Sequence, residues 1–139
     1  MSKPLRAALS VAALALSTAA VHAPAEEKPH GPVFAGPLPN VPGKNLTAVL
    51  VNYPPGGKSP RHKHAGSVFA FVVSGSIRSE CSATGPARVY QAGEGFFEPP
   101  GSEHLVSENA STSKPASLLA VFVADEGAQL TVPSAPPDR

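Results

Sequence analysis

Short runs of alternating apolar and polar residues, separated by turn-forming residues, fill the chain from residue 46 to residue 123. A period of two is typical of β-strands with one buried face, and helical spacing of three and four never persists here for two turns. The predicted strands are Leu46–Tyr53, Arg61–His64, Val68–Ser74, Ile77–Cys81, Ala87–Gln91, Gly95–Glu98, His104–Glu108 and Ser117–Val123. Many short strands joined by close turns indicate an all-β sandwich or small barrel.

The first 25 residues carry the pattern of an exported protein. Two positive residues precede an uncharged apolar run over residues 7–21, and small residues follow it up to Ala25. This order predicts a secretory signal peptide over residues 1–25, because about 15 apolar residues are too few to span a bilayer comfortably. We therefore expect a periplasmic or secreted protein that is cleaved after Ala25 and keeps no stable membrane insertion.

Proline-rich segments flank the predicted strands on both sides. Residues 26–43 are predicted to form an extended arm, with Val33 and Phe34 pairing along a sheet edge. Residues 44–125 are predicted to form the barrel, and residues 126–139 a C-terminal tail that is partly disordered, from Pro133 onward. A chain of this length fits one folded domain.

Charge and cysteine content narrow the class of protein. The chain has 11 Lys and Arg against 10 Asp and Glu, so nothing indicates a nucleic-acid or anionic-membrane surface, and a small-molecule partner is expected. The single cysteine, Cys81, leaves three alternatives open: a buried inert thiol, an intermolecular bridge or a reactive group. Phe69 and Phe71 share one strand face, which is either core or an apolar outer face that drives a homodimer.

Three histidines carry the candidate chemistry. His62 and His64 are two residues apart on one predicted strand, so both imidazoles point to the same face. His104 follows a Pro-Pro-Gly turn and opens another strand. Three imidazoles suit a divalent transition metal, with iron, manganese or zinc favoured and nickel or copper also open.

Glycines and prolines around these histidines complete a double motif, G-x5-H-x-H-x3-E-x6-G followed by G-x5-P-x-G-x2-H-x3-N. The matching residues are Gly56, His62, His64 and Gly75 in the first part and Gly93, Pro99, Gly101 and His104 in the second. On these residues the chain resembles the cupin family, as a small single-domain cupin of the type-2, RmlC-like kind. The resemblance implies a double-stranded β-helix, or jelly-roll, barrel that holds one metal through the three histidines, and commonly a homodimer.

The chain departs from the cupin pattern at two positions. Val68 stands where the first motif has glutamate, and Glu108, with Asn109 beside it, stands where the second has asparagine. The usual pattern binds metal with three histidines and that carboxylate, so three alternatives follow. The site is three-histidine only, or Glu98 compensates as a ligand, a base or an orienting group, or the barrel binds a small ligand without metal. Strand alternation places Glu98 on the same face as Phe96, and the resemblance to cupins implies that this face looks into the barrel.

Cupins include dioxygenases, isomerases, decarboxylases, lyases and plain binding proteins, so the resemblance leaves the function open. We predict a dioxygenase-type oxidoreductase acting on a small chelating substrate, with Glu98 as general base and with Val68 and Phe96 lining the pocket. One alternative is a non-catalytic module that binds or senses a small ligand or metal, and another is a non-redox metal-dependent lyase or isomerase. Tyr53 and Tyr90 are further candidates to contact substrate, although tyrosines at a barrel rim are more often structural.

Overall fold

The computed structural model describes residues 31–135 and contains ten antiparallel β-strands in that range. The strands are β1 (Phe34–Pro37), β2 (Lys44–Tyr53), β3 (His62–His64), β4 (Ser67–Ser74), β5 (Ser76–Cys81), β6 (Gly85–Gln91), β7 (Gly95–Glu98), β8 (Glu103–Asn109), β9 (Ala116–Asp125) and β10 (Thr131–Pro133). The predicted signal peptide and its cleavage site lie outside the described residues. In the part of the chain that is described, no helix could cross a membrane.

Two five-stranded sheets make up the barrel. One has the order β1-β2-β9-β4-β7 and the other the order β10-β3-β8-β5-β6. Strands far apart in sequence pair directly, as β2 does with β9 and β3 does with β8. Such crossed pairing is typical of a jelly roll, and the predicted all-β double-stranded β-helix is confirmed.

One face of the first sheet lines the barrel interior, and the other is exposed on the outside. Along β9 burial alternates residue by residue, and Leu118 and Phe122 point into the barrel. On β4 the inward residues are the small or aliphatic ones, whereas Phe69 and Phe71 stay on the outer surface beside Phe97 of β7. The two phenylalanines are therefore an exposed apolar face and not core, and the homodimer stays a prediction.

Both ends of the described chain add edge strands. Val33 donates its backbone N–H to the Ala48 carbonyl, and β1 continues the pairing from Phe34, so the predicted edge strand of the arm is confirmed. The sequence did not predict β10, which pairs with β3 and brings Pro133 opposite His62. Pro133 is thus part of a strand and not of a disordered tail. An edge strand tolerates proline because its outer side needs no N–H donor.

An extra residue in β8 changes which of its side chains face the interior. The register with β5 slips between Glu80, which pairs with Val106, and Cys81, which pairs with His104. One residue of β8 is therefore left over, and such a bulge re-aims the side chains that follow it. As a result His104 and Ser107, three residues apart, both point inward.

Candidate metal centre

Three imidazoles converge inside the barrel from two neighbouring strands. His62 and His64 lie on β3 on either side of the exposed Lys63, and His104 pairs with His62 across to β8. The ring centroid of His62 lies 4.7 Å from that of His64 and 5.1 Å from that of His104. One nitrogen from each ring falls within 4.8 Å of the others, so the predicted histidine cluster can hold a metal ion.

Backbone carbonyls fix the tautomers of the two β3 histidines. His62 donates its Nδ1–H to the Pro60 carbonyl at 2.7 Å, and His64 donates its Nδ1–H to the Leu130 carbonyl at 3.0 Å. A carbonyl oxygen can only accept, so the proton of each neutral ring must sit on Nδ1. Each Nε2 then presents a lone pair, which is the arrangement that metal-binding histidines use.

His104 has a protein partner on each ring nitrogen. Its Nδ1 lies 2.9 Å from Oε1 of Glu98, and its Nε2 lies 2.9 Å from Oγ of Ser79 on β5. A hydroxyl can donate or accept, so Ser79 does not fix the tautomer of His104 as a carbonyl does. Without a metal ion, Nδ1–H donates to Glu98 and Ser79 donates to Nε2; if Ser79 accepts from Nε2 instead, the Nδ1 lone pair is left for a metal ion.

Glu98 enters the cluster from the strand next to Val68. On β7 it pairs directly with Val68 of β4, so its side chain starts one strand away from the position where the cupin pattern has glutamate. A turn at Pro99–Gly101, in which Gly101 has a φ of +75°, then leads the chain back to His104. A positive φ of this size favours glycine. This short link brings a carboxylate and an imidazole only six residues apart into one site.

The electrostatics of the cluster call for a cation. Burial by itself raises the pKa of Glu98, but the nearby imidazoles of His104 and then His64 outweigh it and lower that pKa to about 2. Burial lowers the pKa of His62, which keeps its ring neutral. Oε2 of Glu98 is buried without a well-aligned hydrogen bond, although Nε2 of His64 is 3.2 Å away. A lone pair facing a carboxylate at this distance needs either an added proton or a metal ion, so these residues fit a divalent cation.

The cluster lines a small cavity that is partly open to solvent. The interior space in which the centre of a water-sized molecule fits is only about 70 Å³, so a ligand held there must be small. The rest of the lining combines aliphatic side chains with three hydroxyls; it consists of Val51, Tyr53, Ser59, Val68, Ala70, Ser107, Leu118 and Ala120.

The other side chains singled out from the sequence fall both inside and outside the cavity. Val68 lines the cavity as predicted, but Phe96 does not: its ring packs between Tyr90 and His104, which puts it behind the cluster. Tyr90 is likewise absent from the lining, whereas Tyr53 is part of it. Cys81 is a buried free thiol, in agreement with the first of its three alternatives.

Several residues of the site were missed by sequence reasoning. Ser79 could have been suspected, because it alternates with Ile77 and Cys81 on the inward face of β5. Ser107 could not, since strict alternation from His104 points it outward and only the bulge turns it in. The Leu130 carbonyl carries no side-chain signal at all.

Comparison with protein families decides the classification. A family model described as a cupin domain matches residues 49–122, more than half of the chain. The chain is a member of the cupin family. A search among curated proteins finds no significant match for this cupin.

Solved structures give the same fold. DMSP lyase DddQ from Ruegeria pomeroyi DSS-3 aligns with a TM-score of 0.57 and 23% identity, over 68% of this chain and 45% of the lyase. A protein with a double-stranded beta-helix domain from Klebsiella pneumoniae subsp. pneumoniae MGH 78578 gives 0.52 and 22%, over 65% and 76%. An oxalate decarboxylase gives 0.51 and 29%, over 60% of this chain and 23% of the decarboxylase. This cupin thus spans less than half of either enzyme, and the lyase likeness shows the fold alone.

Proposed function

We propose that this cupin is a mononuclear metal enzyme, exported from the cytoplasm, that acts on a small chelating substrate in a dioxygenase-type reaction. The observation that carries the proposal is the donor set. Each of the three histidines has one ring nitrogen hydrogen-bonded to a protein partner, and the other nitrogens of His64 and His104 lie 3.2 Å and 2.9 Å from the buried carboxylate of Glu98. A divalent ion held there would supply Lewis acidity and, if it is iron or manganese, electrons for dioxygen.

In this proposal the protein positions the substrate and excludes water from it. The aliphatic wall, which includes Val68 and Leu118, keeps water from a bound substrate and limits its size. Glu98 lies between two imidazoles, at 2.9 Å from His104 and 3.2 Å from His64. This placement favours the ligand or orienting role for Glu98 over the role of a free general base, which the sequence suggested first.

A non-redox lyase or decarboxylase is the second candidate, and a specific observation favours it. The Tyr53 hydroxyl lines the same cavity as the histidine cluster, so a proton acceptor or donor lies near any bound substrate. Two of the structural neighbours are a DMSP lyase and an oxalate decarboxylase. Export adds weight, because an oxidising compartment does not protect ferrous iron.

Metal analysis and oxygen uptake separate the two candidates. The full chain is expressed, its periplasmic fraction is purified, and metal per chain is measured by mass spectrometry. Oxygen consumption is then followed with diketones, thiols and small carboxylates, in air and without oxygen. We expect one metal per chain and substrate-dependent oxygen uptake. Full zinc occupancy with no uptake contradicts the dioxygenase reaction, and turnover without oxygen supports the lyase.

A further inference from the structure

A cluster of three hydroxyls lines the same cavity as the histidines. The phenol oxygen of Tyr53, at the end of β2, lies 2.7 Å from Oγ of Ser59 and 2.8 Å from Oγ of Ser107. Tyr53 is 6% and Ser107 5% exposed, so two of the three side chains are almost fully buried. We call Tyr53, Ser59 and Ser107 the hydroxyl cluster.

The hydrogen bonds within the hydroxyl cluster leave one of its three O–H groups without an acceptor in the cluster. Three hydroxyls carry three protons, and the two contacts at Tyr53 use two of them. Among the described residues, neither serine Oγ has another side-chain or backbone hydrogen bond. Tyr53 and Ser107 are buried and Ser59 is half-buried, so the third proton needs an acceptor, which a ligand in the cavity can supply in place of water.

Charge decides what kind of acceptor fits. Among the cavity-lining residues the only groups that can carry positive charge are the three histidines, and Glu98 already lies against two of them. A carboxylate beside the hydroxyl cluster would be a buried anion without a cation, whereas a neutral hydroxyl or carbonyl oxygen needs only the one donor.

We propose that the hydroxyl cluster is a specificity-determining contact, which binds a neutral oxygen that the substrate carries beyond its metal-chelating group. The inference rests on the proposed function and names its substrate class: small acids with a chelating head and a hydroxyl or carbonyl further along the chain. The competing explanation is structural, in which the three hydroxyls only tie β2 to β8.

Isosteric ligand pairs distinguish these explanations. The zinc-loaded full chain is titrated calorimetrically with 2-oxobutyrate against 3-hydroxypyruvate, and with 2-oxopentanoate against 4-hydroxy-2-oxobutyrate. Each pair has the same chelating head, and only one member carries the terminal oxygen. In the pair that reaches the cluster, we expect the oxygen-bearing acid to bind about fivefold more tightly, as one additional hydrogen bond provides.

A triple variant tests whether the hydroxyl cluster causes that preference. Tyr53→Phe, Ser59→Ala and Ser107→Ala together remove every member, so no buried donor loses its partner and the fold is spared. We expect the preference to disappear, so that the two acids of the pair bind with about equal affinity, because the hydrogen bond to the terminal oxygen is lost. The affinity for the plain oxo acid should stay the same.

The matched control removes the same hydroxyl types elsewhere. Tyr90 lies outside the cavity, and Ser74 and Ser117 share a hydrogen bond of 2.7 Å near the surface. Tyr90→Phe, Ser74→Ala and Ser117→Ala together should keep the preference.

Two results would overturn the inference while leaving the proposed function intact. One is zinc binding with no preference within either pair, and the other is a preference that survives in the hydroxyl-free triple variant. A chain that binds neither zinc nor iron nor manganese refutes the proposed function itself, and the inference falls with it. Turnover of an acid that lacks the terminal oxygen, at the same kcat/KM as its partner, also counts against the inference.

Discussion

Two polar clusters share one cavity, and they are stabilised in different ways. The imidazole–carboxylate cluster consists of His62, His64, His104 and Glu98. Its buried carboxylate lies against imidazole nitrogens, and this arrangement is stable only with added protons or a bound cation. The hydroxyl cluster is neutral, and two of its three protons are used internally. The first should therefore depend strongly on metal and pH, and the second on neither. The difference shows how a small barrel can combine a reactive end with a selective end.

The largest effect is expected from removing two imidazoles. The double substitution His62→Ala, His64→Ala should weaken zinc binding by more than about a hundredfold, since losing even an outer-shell partner costs 10–100-fold. Calorimetry or competition with a chromogenic chelator measures it. Lys63→Ala, on the exposed face of the same strand, is the control and should bind normally. Stoichiometric metal in the double variant would refute the site.

The next effect is a pH dependence that belongs to the charged cluster alone. The folded pKa of Glu98 is about 2, below its ordinary value of 4.5. The folded state thus favours the ionised carboxylate, and this stabilisation is present above pH 4.5 and lost as the pH falls through about 2. At 1.36 kcal/mol per pKa unit it amounts to about 3 kcal/mol.

Glu98→Gln removes that contribution. In metal-free protein, the free energy of unfolding from urea titrations should fall less between pH 5 and pH 2 than in the wild type. The exposed Glu126→Gln is the control and should keep the wild-type slope. Equal slopes for the wild type and Glu98→Gln would show that the imidazoles do not hold the carboxylate.

A smaller effect should follow from the outer partner of His104. Ser79→Ala leaves Nε2 of His104 without its hydrogen-bond partner, so the ring loses its fixed orientation. We expect zinc affinity to fall by about tenfold, at the low end for such partners. Ser82→Ala is a control, since its hydroxyl accepts from the Glu103 backbone on the outside of the barrel. Unchanged affinity in Ser79→Ala would reduce that contact to packing.

The smallest expected effect is a loss of stability in the hydroxyl cluster that does not depend on metal. Tyr53→Phe leaves the buried Ser107 and the half-buried Ser59 without their shared partner and should cost about 1–2 kcal/mol of stability. The loss, measured by urea unfolding, should be the same with and without zinc and at pH 5 and pH 7. A metal-dependent loss would mean that the hydroxyl cluster and the charged cluster are coupled.

The sequence predicted the local part of this structure well. Alternation identified the strands β2 to β9 within a few residues of their ends, because the inward or outward direction of a strand residue depends mainly on its neighbours. The same alternation put His62 and His64 on one face. The double motif with its glycines indicated the family. Alternation over the four residues of β7 put Glu98 on the same face as Phe96, and the family resemblance implied that this face points inward.

What alternation could not give is the pairing between strands. That Glu98 lies beside Val68, where the cupin pattern has its carboxylate, depends on the register of β7 against β4, which the whole sheet decides. That Leu130 orients His64 depends on β10, a three-residue edge strand too short and too exposed to carry a signal of its own.

The β8 bulge shows the same limit in one position. Counting along the sequence places Glu108 at the motif asparagine and Asn109 one residue too late. The extra residue in the strand turns Asn109 inward, where its amide donates to the Pro54 and Lys114 carbonyls, and leaves Glu108 to pair with Arg78 outside. The sequence by itself determined which residue types were available and which strands carry them. Only the tertiary structure decided which of them meet, because register and bulges are set by contacts between residues far apart in the chain.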